Sequence, residues 1–110
     1  MNSIVIIGTP IKIHNLEIAE FDFPNEMTWD EGVKACIELG EGWILPSKKE
    51  LNILFKNKDS IGGFTRLDYW NLEEGVNKDL AWYQNFFEGK KIATFKYLKC
   101  RIRAIKIIIK

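Results

Sequence analysis

Thr28-Trp29-Asp30-Glu31-Gly32-Val33-Lys34-Ala35-Cys36-Ile37-Glu38-Leu39-Gly40 and, seven residues later, Ser47-Lys48-Lys49-Glu50-Leu51-Asn52-Ile53-Leu54-Phe55 decide the fold. Each stretch opens with a hydroxyl residue followed three positions on by glutamate. In that pattern the hydroxyl and the carboxylate satisfy each other's free backbone N–H groups, so each stretch predicts a helix. The first helix has an apolar stripe of Trp29, Val33, Cys36 and Ile37 and a closing glycine at Gly40. Gly32 inside it is expected to weaken the helix by up to about 1 kcal/mol relative to alanine. The second helix buries Leu51, Leu54 and Phe55 and runs to about Lys56.

The flanks of these helices read as strands. Ile4–Ile7 is a β-branched run, and Ile11-Lys12-Ile13-His14 alternates with a period of two. Leu16–Phe23 is expected to form a third strand with Leu16, Ile18 and Phe21 facing apolar surroundings and a bulge near Ala19. Beyond the helices, Ile61-Gly62-Gly63-Phe64 reads as a turn and Leu67–Trp70 as a short extended segment. The aperiodic polar stretch Asn71–Asp79 reads as a surface loop. Leu80–Phe87 and Ile92–Tyr97 form a hairpin about Glu88-Gly89-Lys90, and Cys100–Ile109 is the closing strand. The expected fold is therefore α+β: two helices packed on small antiparallel sheets. One domain, residues 1–110, accounts for the whole chain.

Composition narrows the function classes. The 110 residues are 46% hydrophobic, and 16 Lys and Arg against 15 Asp and Glu give a net charge of +1. Such a chain hides roughly two-thirds of its unfolded surface and needs no staples, and its balance excludes a dominant nucleic-acid footprint. Charge is nevertheless segregated. Asn15–Gly32 holds six acidic residues and no basic one, whereas Gly89–Lys110 holds eight basic and no acidic. A basic binding edge for phosphate or anionic glycan is one reading. The preferred one, given the near-zero net charge, pairs the first and last strands with opposite charges facing across the ladder. No apolar run reaches the roughly 18 residues of a membrane span, so membrane insertion is not expected. The start lacks the pattern of an export signal, which implies a cytoplasmic protein, with association to a cell surface or a phage particle as the alternative.

Met27-Thr28-Trp29, Cys36, Gly42-Trp43-Ile44-Leu45-Pro46-Ser47, Glu50-Leu51, Tyr69-Trp70, Ala81-Trp82, Phe86, Gly89 and Ile102-Arg103-Ala104-Ile105-Lys106 follow one another in an order that resembles the bacterial Lcl C-terminal domain family, also seen as the Fibrobacter succinogenes major paralogous domain. The resemblance covers roughly Leu16–Ile107 and implies a C-type lectin-like fold with N- and C-terminal strands paired, used as a non-catalytic binding module. It also implies that Cys36 lies against Cys100, the places of a commonly bridged pair. In this chain Ile44 stands where the family has arginine, and Asn71-Leu72 follows Tyr69-Trp70 where the family has two serines.

Catalysis finds little support. His14 is isolated, and Cys36 falls on an apolar helix stripe, the ordinary place of a buried thiol. The Glu-Pro-Asn, Gln-Pro-Asp and Trp-Asn-Asp motifs of calcium-dependent sugar lectins are missing, so no metal and no cofactor is expected. Trp29 and Trp43 are expected in the core. Aromatic edges beside amides can hold a sugar ring or a protein partner. The expected ligand site therefore comprises Tyr69, Asn71, Glu73, Asn77, Asp79, Tyr83 and Asn85, on the 71–79 loop and the outer face of strand 80–87. Phe95-Lys96-Tyr97 is only a fragment of the aromatic–basic interleaving that nucleic-acid binding requires. The expected function is non-enzymatic recognition of a protein or glycan. The alternative is a structural or oligomerising subunit of a bacterial or phage assembly.

Overall fold

The computed structural model describes residues 3–108. Its elements are α1 (Ser3–Ile7), β1 (Ile11–Ile13), β2 (Leu16–Ile18), α2 (Trp29–Glu38), β3 (Trp43–Ile44), α3 (Lys48–Lys56), α4 (Lys58–Ile61), β4 (Asp68–Glu74), β5 (Leu80–Asn85), β6 (Lys91–Phe95) and β7 (Ile105–Ile107). One antiparallel sheet has the order β1-β2-β7-β3 and the other β4-β5-β6. The α+β class and the pairing of N- and C-terminal strands are as expected. Glu17 lies opposite Lys106 across β2 and β7, so the charge segregation of the sequence is used in the ladder.

Both capping boxes form. Thr28 N–H donates to Glu31 Oε1 at 2.9 Å, and Ser47 N–H to Glu50 Oε1 at 2.9 Å, with the hydroxyl oxygens accepting in return. Hydrogen bonding to Thr28 holds the Glu31 carboxyl below its ordinary range. The buried stripe of α2 is Gly32 and Cys36, flanked by half-buried Trp29, Val33 and Leu39. Ile37, expected inside, is 59% exposed, because the contact line drifts toward Gly32 and carries position 37 outward. Gly32 is a packing device: a Cβ there would collide with Ile102 Cδ1 and lie 3.2 Å from its Cγ1. At Gly40, φ is +84°, as the closing turn requires.

Three strand expectations are corrected. Residues 4–7 belong to a single helical turn, α1. Its Ile6 is buried, and its Ile6 and Ile7 carbonyls accept from Phe21 and Glu20 N–H groups, so tertiary contact overrides β propensity. His14 sits not in a strand but in the β1–β2 turn, exposed, at φ +53°. The third strand is regular only over Leu16–Ile18. Past Ala19 it runs beside residues 100–104 with intermittent bonds, Ala19 N–H to Ala104 O and Phe23 N–H to Ile102 O, both at 3.0 Å. Phe21 consequently faces outward and Phe23 takes the buried place.

The segment 100–104 is the seam of the molecule. Cys100 exchanges backbone bonds with Met27, Arg101 N–H donates to Asp68 O at 2.8 Å, and Trp70 N–H donates to Arg101 O at 3.2 Å, joining the two sheets. The closing strand is thus a regular ladder only over Ile105–Ile107, while Ile109 lies outside the described residues. One core cluster gathers around Trp70, Trp43, Ile102, Cys36 and Cys100. The other gathers around Tyr69, Phe86, Leu51 and Leu54. Cys36 and Cys100 are both free thiols. Below the seam, Arg103 is fully buried and donates through Nε to Asp22 at 2.7 Å and through Nη1 to Ala19 O at 3.1 Å. The Tyr69 hydroxyl donates to the same carboxylate.

β4 continues to Glu74, past the expected end at Trp70. Pairing with β5 passes from Trp70↔Tyr83 to Glu74↔Ala81, so β4 carries two extra residues in a bulge. The expected loop 71–79 therefore shrinks to 75–79.

Candidate functional site

The N-terminus of α2, the β4–β5 loop and the turn after β6 converge on a cavity of about 510 Å³ lined by Asp30, Lys78, Asp79, Phe95, Lys96 and Tyr97, with Thr28 at its edge. Lys96 holds these pieces together. Its N–H donates to Asp79 O at 2.9 Å and its carbonyl accepts from Trp29 N–H at 3.0 Å. Its ammonium lies 4.1 Å from the Trp29 ring centroid and forms an ion pair with Glu74. That partner keeps the Glu74 carboxyl below its ordinary range. Leu98 N–H returns to Phe95 O at 3.1 Å, closing a tight turn.

The turn presents two rings to solvent. Phe95 is 48% and Tyr97 70% exposed, and their planes stack 15° from parallel with centroids 5.3 Å apart. Flat apolar faces thus stand beside two carboxylates and an ammonium, a combination that grips a ring bearing hydroxyls or a polar–aromatic protein patch. It is poor in catalytic chemistry. Cys36 and Cys100 are buried, and burial pushes both thiols up to about 12. Among the described residues no three His, Cys, Asp or Glu side chains group as a metal site.

The residues expected at the site are dispersed. Tyr69 and Asn71 are fully buried and offer no ligand surface. Burial, with Asp22 next to it, pushes the Tyr69 phenol up to about 12, and Asn71 Oδ1 accepts from Glu73 N–H at 2.9 Å inside the bulge. Glu73 accepts from Lys48 N–H at 3.0 Å, serving the first turn of α3. Asn85 accepts from the Phe87 and Glu88 N–H groups and donates to Asp68, so it shapes the hairpin turn. Tyr83 packs edge-on against Trp70 with centroids 6.4 Å apart, and partial burial raises its phenol. The face of β5 opposite to Tyr83 and Asn85 is covered from α3: Lys48 lies 3.4 Å from the Trp82 ring centroid, and Gln84 bonds Asn52. Only Asp79 of the expected set lines the cavity, with Asn77 beneath it accepting from Asp79 N–H.

Among solved structures the chain is similar to the crystal structure of botrocetin, with a TM-score of 0.70 at 13% identity over 93% of this chain and 98% of that one. It is also similar to botrocetin in complex with the A1 domain of a von Willebrand factor mutant, with a TM-score of 0.61 at 13% identity over 91% of this chain and 97% of that one. The chain has a C-type lectin-like fold. No protein-family model and no curated protein sequence matches it.

In this C-type lectin-like fold the expected tryptophan roles divide. Trp43 is core, whereas Trp29 is half-buried and its indole N–H donates to Asn71 O at 2.8 Å. The residues missed at the cavity, Phe95, Lys96 and Tyr97, carry a legible signal. They stand as an aromatic–basic–aromatic run at the end of the hairpin, with Phe95 the last residue of β6 and Tyr97 in the turn that follows, where the expected strand 92–97 has already ended. Among the described residues no helix is long and apolar enough to cross a membrane.

Proposed function

We propose that this C-type lectin-like chain is a single-domain, non-enzymatic recognition module that binds a protein or glycan at the cavity between the 75–79 loop and the 95–97 turn. The observation that carries the reading is the stacked, solvent-facing Phe95–Tyr97 pair beside Asp30, Asp79 and Lys78. Exposed aromatics clustered at a cavity are what recognition requires, whereas a broad apolar sheet face would suit assembly. A glycan fits this geometry best, since sugar C–H faces stack on rings while hydroxyls bond to carboxylates and ammonium groups. Membership of the Lcl C-terminal domain family is part of the proposal. Its Trp43-Ile44-Leu45-Pro46 and Tyr69-Trp70 motifs serve the core, so they support shared architecture more than a shared ligand. Botrocetin's complex with a von Willebrand factor domain lends support to a protein ligand as the runner-up.

The test is a glycan array probed with the intact chain and with the Phe95→Ala/Tyr97→Ala double variant, with and without calcium. Calcium-independent binding that the double variant loses, at an unchanged melting temperature, is expected. Binding that survives the double substitution would overturn the site. Assembly through the unpaired edge of β6, where Ile92 and Phe95 are exposed, is the second reading. It predicts a dimer in solution that Ile92→Lys dissociates.

A further inference from the structure

The helix α4 and the glycine pair after it border a second cavity of about 480 Å³, which shares no lining residue with the first. Lys58 and Arg66 stand on its walls, each over an aromatic ring, Lys58 4.7 Å from the Phe55 centroid and Arg66 5.5 Å from the Phe87 centroid. Among the described residues neither cation has a carboxylate within ion-pair distance, although Asp59 also lines the cavity. Beneath the loop, Arg103 donates to Gly62 O at 3.2 Å. Asp22 answers both Arg103 and Arg101, so that buried cluster keeps a net positive charge.

The backbone adds donors. Gly62 and Gly63 have φ of +84° and +77°, values open to glycine, and the Gly62 N–H is committed to Lys58 O at 2.8 Å. Among the described residues no protein acceptor is seen for the N–H of Gly63, Phe64 or Arg66. A Cβ at Gly63 would also stand 3.1 Å from Arg103 Nη2, a tight contact. Two cations held by rings in place of carboxylates, next to unused N–H donors, make a receptor for an anion with oxygens in several directions. The cavity is larger than one oxyanion needs, and Phe64 and Phe87 give the remainder an apolar wall.

We propose that this cavity binds a phosphate monoester, the phosphate between Lys58, Arg66 and the Gly63–Phe64 backbone and the ester's organic part against Phe87. The reading is independent of the aromatic cavity.

The experiment is a titration of the ¹⁵N-labelled chain near pH 7.5, where a monoester is mostly dianionic, with inorganic phosphate and with phenyl phosphate, against sodium chloride of equal ionic strength. Saturable shifts of the Gly63, Phe64 and Arg66 amides below about 10 mM are expected, with phenyl phosphate binding more tightly than inorganic phosphate. Arg66→Gln and Lys58→Gln should each weaken binding about tenfold, the loss of one charge-assisted contact, at an unchanged melting temperature. Phe95→Ala/Tyr97→Ala should leave it intact. Shifts no larger than those from chloride, or affinity unmoved by both charge substitutions, would overturn the proposal. Phenyl phosphate binding no tighter than inorganic phosphate would overturn the ester assignment.

Discussion

Replacing Gly32 with alanine should destabilise this protein, although alanine is the better helix former by about 1 kcal/mol. Gly32 is buried in the middle of α2, and the added Cβ would meet Ile102 Cδ1 and stand 3.2 Å from Cγ1. Ile102 is itself fully buried, so its side chain has no solvent to swing into. Overpacking of this kind costs about 1 to 3 kcal/mol, and an off-rotamer isoleucine adds about 0.5 to 1.5. Set against the propensity gain of about 1 kcal/mol, the net loss is about 0.5 to 3.5 kcal/mol, with Tm falling roughly 4 to 8 °C for each kcal/mol. The sharper test is a double-mutant cycle read by urea denaturation. Ile102→Val alone should cost about 1 kcal/mol by opening a methyl-sized cavity. In the alanine background the same change removes the colliding Cδ1 and should cost nothing or restore stability. A coupling of at least about 1 kcal/mol is expected, beyond the ~0.5 within which independent sites add. A more stable Gly32→Ala variant, or an additive cycle, would refute the close approach of α2 to the seam.

Asp22→Asn should cost about 3 to 5 kcal/mol, because it leaves the buried Arg103 uncompensated; a loss below about 1 kcal/mol on chemical denaturation contradicts the network. Stability should also fall with alkali. Cys36, Cys100 and Tyr69 are raised to about 12 in the folded chain from ordinary values of 9.0 for the thiols and 10.0 for the phenol. The unfolded chain therefore sheds these protons first. The contribution is complete below pH 9 and is lost as pH climbs through 12, so a urea midpoint that stays flat between pH 9 and 11 would count against that burial. Neither thiol should react with Ellman's reagent until denaturant is added. Millimolar calcium should leave the Tm unchanged, since Asn71 and Glu73 are engaged with backbone N–H groups; a rise of several degrees reversed by chelator would show a site at the bulge.

What was legible in the sequence was local chemistry with a reciprocal partner. Thr28 with Glu31 and Ser47 with Glu50 place two helix starts, because each pair closes within four residues of chain. The charge contrast between the chain's two ends likewise anticipates Glu17 opposite Lys106. Less legible was anything fixed by distant contacts. The β-branched run at 4–7 becomes a helical turn because the 19–23 segment supplies its partners, and nothing inside the run says so. Asn71 reads as loop because its neighbours are polar. Yet the bulge turns it inward, where its carbonyl takes the Trp29 indole, 42 positions away. The site suffers most from this. Asparagine, glutamate and tyrosine look alike in sequence whether they meet a ligand or the backbone, and in this chain most of them meet the backbone.

The bulge in β4 separates two jobs along one hairpin. Below it, Trp70 and Tyr83 lock the strand pair into the core; above it, pairing resumes at Glu74↔Ala81 and leads to a tip, 75–79, in which Val76 is 96% exposed. The tip is held by a few backbone bonds, among them Gly75 N–H to Leu80 O and Lys96 N–H to Asp79 O, which do not depend on side-chain identity. Apart from Gly75, where a Cβ would stand 2.7 Å from Leu80 Cβ, and Asn77, whose side chain accepts from Asp79 N–H, its residues can therefore be exchanged, and its length changed at about 0.6 kcal/mol per doubling, with Trp70 and its neighbours undisturbed. Descendants of such a chain could vary the tip while inheriting the same core.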